Sequence, residues 1–137
     1  MSVTTNAAVL PQTPISRTAV LTTAETGFSA PTNVVTLLDA TDNTNGARLT
    51  RLYAIPRATI GTANNIQVYE YTGTTYTLID SKLMATVTPA ANVANDKTDF
   101  GYSEDVPLFV RAGYGLKVAM GQSIANGVVV KTEGALY

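Results

Sequence analysis

A chain of 137 residues has the length of one domain, with room for one core and too little for two. It contains neither cysteine nor histidine, which excludes disulfides, thiolate nucleophiles, Ser-His-Asp triads of the usual kind and imidazole-bound zinc. Nine basic and ten acidic side chains give a net charge of -1 and are scattered singly, as at Arg17, Arg48, Arg51, Arg57, Lys82 and Lys97, so no cationic cluster exists to displace counterions from a nucleic acid.

Residues 1–14 hold Thr4, Thr5, Asn6, Pro11, Gln12, Thr13 and Pro14 around a short apolar patch, Ala7 to Leu10. Two prolines remove donors and fix φ, so this segment is expected to be an extended N-terminal arm that orders against a neighbour. Residues 15–137 are expected to form the domain itself.

From Ile15 onward, apolar runs of strand length alternate with Gly, Pro, Asn and Asp clusters. Strands are predicted at 15–22, 33–39, 47–55, 65–71, 75–79, 107–112, 115–120 and 127–132. Period-two alternation puts Ile66 with Val68, Leu116 with Val118 and Met120, and Val106 with Leu108 and Val110 on core-facing sides. Thr, Val and Tyr are abundant and pack well on pleated surfaces, while helical spacing is nearly absent. One short helix or turn is expected around Ser81 to Ala85. The fold class is therefore all-β: an antiparallel β-sandwich, or a jelly-roll-like single domain, with an extended N-terminal arm.

Three turns carry their own chemistry. Gly73 between two strand-like runs predicts a tight hairpin. Asp39 to Gly46 is dense in side chains that bond their own backbone, with Gly46 free to take positive φ. Arg111 to Gly115 is a third compact turn. In Arg48-Leu49-Thr50-Arg51-Leu52 the leucines are three apart, so a regular strand cannot face both inward; a β-bulge resolves this, and so does a second buried face. Residues 86–105 read as a long Thr, Ala, Asn and Asp-rich link.

Only 14% of residues are charged, against roughly 25% in ordinary soluble domains. A surface this neutral costs little to desolvate against a partner. No stretch approaches the ~20 apolar residues of a membrane helix, so a soluble chain made in the cytoplasm, with no membrane partner, is expected.

Candidate sites follow from these placements. As a calcium loop ending at Gly46, the Asp39 segment would put Leu52 where a bidentate glutamate is needed, leaving an Asx-rich turn or a weak oxygen cage at Asp39 and Asp42. Asp96, Asp99, Glu104 and Asp105 are the densest acidic group, but there is no tryptophan to build a sugar platform, and no enzymatic role is expected. Tyr69, Tyr71 and Tyr76 lie on adjoining strands of the predicted hairpin. Either they form an outward aromatic stripe suited to protein or carbohydrate contact, or their strand is buried on both faces.

The segments Arg51-Leu52-Tyr53-Ala54-Ile55-Pro56-Arg57-Ala58-Thr59, Asp80-Ser81-Lys82-Leu83-Met84-Ala85 and Thr98-Asp99-Phe100-Gly101-Tyr102-Ser103-Glu104, with the closing Gly-Val-Val-Val run and Glu133-Gly134, resemble small structural proteins encoded among the head and tail genes of tailed bacteriophages. The resemblance implies a β-sandwich or jelly-roll unit, assembled as a homotrimer on the capsid surface of the virion. It further implies binding to the major capsid protein as a decoration or cement protein, with no cofactor; tail or neck placement fits the same pattern. Val9, Leu10, Tyr69, Tyr71, Tyr76, Phe100 and Tyr102 are then the candidate protein-contact residues.

Overall fold

A computed structural model describes residues 10–137, so Val9 and most of the expected arm lie outside the described residues. Among the described residues nine strands follow in chain order: β1 (Thr13–Leu21), β2 (Val35–Leu38), β3 (Ala47–Pro56), β4 (Asn64–Thr72), β5 (Thr75–Met84), β6 (Thr98–Asp99), β7 (Leu108–Val110), β8 (Gly115–Met120) and β9 (Val128–Leu136). One 3₁₀ turn, Ala40–Asp42, links β2 to β3. The strands form two antiparallel sheets. Sheet A runs β1-β9-β3-β6 with β7 also on β3, and sheet B runs β2-β8-β4-β5.

The pairings are nested. β4 pairs β5 at the centre of the chain, β3 pairs β6 and β7 outside them, β2 pairs β8, and β1 pairs β9. The chain therefore doubles back as one long ribbon whose tip is the β4–β5 hairpin. Two further pairings, β3 with β9 and β4 with β8, join its layers into sheets. Gly73 at the tip has φ +57 and Thr74 has none of that strain, the signature of a two-residue turn with glycine first. Gly46, at φ +105, closes the Asx-rich turn as its sequence requires.

The core lies between the sheets. Ile66, Val68, Leu116, Val118, Met120 and Val110 are fully buried, as alternation predicts, together with Leu38, Leu49, Leu52 and Val130. Leu49 and Leu52 both reach it because β3 carries a bulge: Leu49 faces Gly134 and Arg51 faces Glu133, leaving Thr50 unmatched. Gly134 belongs to the same device, since a Cβ there would overlap the backbone of Arg48 and Leu49.

Three expectations need correction. Ser81 to Met84 is strand and not helix or turn, because β5 continues along β4 as far as Asn64 after a bulge at Ile79. Val106 is 62% exposed and outside β7; its N–H goes to Ser103 Oγ and its carbonyl accepts from Ser103 N, so a local turn replaces the strand that alternation assumed. Thr13 and Pro14 belong to β1, paired with Leu136 and Ala135, and the proline is tolerated because β1 is an edge strand.

Candidate functional site

The outward face of sheet B is the place the tyrosines point to. On β4 the side opposite Ile66 and Val68 carries Gln67, Tyr69 and Tyr71, and all three are buried. Of the two readings of this strand, burial on both faces is the one found. The cover comes from the connection between β1 and β2, residues 22–34: Tyr69 Oη donates its one proton to Gln67 Oε1 at 2.5 Å with Gly27 O a further 3.3 Å neighbour, and Gln67 Nε2 donates to Glu25 O at 3.5 Å. Burial, followed by the nearby Glu25 charge, pushes the Tyr69 phenol above its ordinary pKa, so it stays a neutral donor.

Glu25 organises that cover, and its side chain was not singled out from the sequence. It is 5% exposed, and its carboxylate accepts from Gly27 N at 2.8 Å, Thr32 N at 2.8 Å and Asn33 N at 2.6 Å. These backbone donors, Asn33 first, hold its pKa below the usual value against the opposing cost of burial. The one sequence signal was a lone acid ahead of a glycine in a Thr, Ser and Pro-rich stretch, a composition shared by many idle loops.

Tyr71 accepts a hydrogen bond from Ala40 N at 3.1 Å and stacks on Tyr76, its cross-strand partner, with ring centroids 5.9 Å apart. Lys117 Nζ lies over both rings, 4.6 Å and 5.4 Å from their centroids, and donates to Tyr76 Oη at 3.3 Å. Of the three tyrosines only Tyr76 keeps substantial exposure. Replacing Tyr71 would therefore injure the fold before it removed any stacked ligand.

Phe100 and Tyr102 are half-buried and pack against the core. Phe100 N donates to Leu52 O, and Tyr102 Oη donates to Asp80 Oδ2 at 2.6 Å, which ties the 98–102 segment to β3 and to β5. Both rings serve the long connection that holds them. Leu10, the apolar arm candidate within the described residues, is 64% exposed.

Sheet A has a different exterior. Its outward side presents cross-strand rows: Val20, Val129 and Ile55; Thr18, Lys131, Tyr53 and Asp99; Ser16, Glu133 and Arg51. Tyr53 is half-buried between two cations, with Arg51 5.0 Å and Lys97 4.7 Å from its ring centroid. Glu133 bridges Lys131 at 3.2 Å and Arg51 at 3.7 Å. Beside these rows a groove of about 540 Å³ is lined by Pro11, Pro14, Arg48, Thr50, Glu104 and Glu133. Among the described residues, connections reach this face through side chains alone: Lys97 lies over Tyr53, and Arg48 donates to Glu104 O and Oε2, while the rows themselves stay exposed or half-buried. Sequence reading passed over Tyr53 and Lys97 as site residues because they meet only through tertiary pairing.

The acidic group is not brought together. Glu104 lines the groove on sheet A and reaches Arg48 at 3.5 Å, whereas Asp96 and Asp99 line a separate cleft with Lys82 and Lys97. Asp99 accepts from Gly101 N, and Asp39 from Thr41 N and Thr41 Oγ1, so each caps its own turn. Among the described residues no group of three or more acids is placed to hold a metal ion. No family model, no curated protein and no solved structure matches the chain. Among the described residues, sheet B has a covered exterior and sheet A an accessible one.

Proposed function

We propose that this chain is a virion structural protein of a tailed bacteriophage, a capsid decoration or cement protein that binds the major capsid protein lattice, associates with copies of itself as a homotrimer, and stabilises the head. The observation that carries the reading is the contrast between the two exteriors. Among the described residues, the aromatic face of sheet B is covered by the chain's own 22–34 segment, whereas the cross-strand rows of sheet A stay exposed or half-buried and carry few charges. Exposed ion pairs such as Arg51–Glu133 are worth no more than about 1 kcal/mol, so they keep the free protein soluble and yield readily to a partner.

The nested pairing supports a jelly roll, the double-sheet wrap used by viral capsid proteins and also by lectins and cupins. An architecture so widely shared cannot carry function alone, which is why the accessible face matters more. A protein that binds only the assembled lattice stabilises that state by linkage, and many copies add their weak contacts.

The test is direct. Purified chain added to expanded heads of its own phage is expected to bind them and raise their melting temperature. Tyr53→Ala and Val129→Arg on the accessible face of sheet A are expected to weaken that binding at least about tenfold while the isolated protein melts within a few degrees of wild type, as surface changes do. Binding to necks or tails instead of heads would move the protein to that part of the virion. Failure to bind any particle component would sink the proposal.

A further inference from the structure

The segment that covers sheet B is anchored at one end and free over most of its length. Ile124 N donates to Thr22 O at 3.1 Å, Ala24 N to Ser123 Oγ at 2.9 Å and Glu25 N to Met120 O at 2.7 Å, which tie 22–25 to β8 and the turn after it. Beyond them, one contact joins the segment to sheet B among the described residues, Tyr69 Oη with Gly27 O at 3.3 Å, near the long limit for hydrogen bonds, while Gln67 Nε2 reaches Glu25 O inside the anchored stretch at 3.5 Å. Thr26, Phe28, Ser29, Ala30, Thr32 and Asn33 are exposed, and only Pro31 is buried. What closes the segment is its own chemistry. Glu25 Oε1 takes Gly27 N, Oε2 takes Thr32 N and Asn33 N, and Asn33 Nδ2 donates to Ala24 O at 3.0 Å.

We propose that residues 26–33 form a strap latched by the Glu25 carboxylate, opening as one unit to uncover Tyr69 while both sheets stay intact. Both ends of the strap converge on one group, so no donor can leave without weakening the hold on the others. The acceptor must be ionised to serve three donors at once. A neutral carboxyl accepts more weakly, and a glutamine in its place turns an N–H₂ toward backbone N–H groups. Among the described residues no other charged group acts on Glu25: the facing ionisable group on β4 is Tyr69, which is neutral, and Lys117 of β8 is engaged over the Tyr71 and Tyr76 rings. The sign of the pH response follows. Because the folded-state pKa lies below 4.5, the latch is complete above that pH and is lost as pH falls beneath it. This inference rests on the fold and does not depend on the proposed function.

Backbone amide NMR of the full chain tests it. From about pH 6 to about pH 2.5, the Gly27, Thr32 and Asn33 amides are expected to shift along one shared curve with a midpoint below 4.5, while Leu52 in the core stays protected. In Glu25→Gln at about pH 6, exchange at Thr32 and Asn33 is expected to rise about tenfold with Leu52 unchanged, the loss of a charge-assisted bond. Nitration of Tyr69 by tetranitromethane, mapped by mass spectrometry, is expected to rise alongside. Three amides titrating independently, Tyr69 staying protected over an open strap, or Leu52 losing protection together with the strap would each overturn the proposal. Should Glu25→Gln fail to fold, the wild-type titration decides.

Discussion

Tyr102 shows how much one side chain can fasten. Its hydroxyl meets the Asp80 carboxylate at 2.6 Å, and burial first, then that bond and its charge, raise its pKa well above the ordinary 10.0. A phenol whose folded-state pKa is raised contributes stability below pH 10 and loses it as pH climbs above. Tyr102→Phe, which keeps the ring and removes the bond, is expected to cost about 1 to 3 kcal/mol in urea unfolding at neutral pH. It should also flatten the alkaline fall in stability, and an unchanged alkaline slope would refute the assignment. The sequence pointed to this residue without its partner, because Asp80 is reached across the sandwich and no spacing rule connects the two. Leu49 and Leu52 were more legible. Their three-residue separation already demanded either a bulge or a second buried face, and the unmatched Thr50 is the bulge.

Strand β5 is the element where sequence and structure part most clearly. Its residues are exposed along most of its length, since it forms the edge of sheet B, and the bulge at Ile79 interrupts the alternation that would have announced it. Edge strands depend for their safety on bulges and charges that discourage pairing with another chain. Lys82, exposed beside the 63% exposed Leu83, fills that role. Lys82→Val is expected to leave the unfolding free energy within about 0.5 kcal/mol of wild type yet to increase concentration-dependent light scattering. If scattering stayed at the wild-type level, edge protection would have to be ascribed to the bulge alone. The two-residue β6 was illegible for another reason. It exists only because Thr98 and Asp99 lie along Ala54 and Tyr53, a match made by tertiary packing.

At the scale of the molecule, alternation and turn chemistry were enough to announce two packed sheets, since period-two runs separated by Gly and Asx turns have few other ways to bury an apolar side. Which exterior would be covered was not readable. The 22–34 cover has no periodicity, and its organising carboxylate works through backbone donors that any residue supplies. The nested pairing has a kinetic consequence. The β4–β5 hairpin closes a short loop, whereas Thr13 must find Leu136 from nearly the far end of the chain. Folding is expected in milliseconds to seconds, as for other sandwiches of distant contacts. Val68→Ala is expected to slow refolding and Val130→Ala chiefly to speed unfolding in stopped-flow chevrons. The reverse pattern would show that nucleation starts at the ribbon's open end.

Because β1 and β9 run side by side in opposite directions, and Gln12 N still donates to Leu136 O at 2.7 Å, the first and last described segments leave the sandwich together. A short glycine-rich tether could join them, and fresh termini cut at the Gly73-Thr74 tip would leave all nine strands whole. Such a circular permutant would carry a fused peptide at the opposite pole of the molecule, giving a choice of which end displays a cargo.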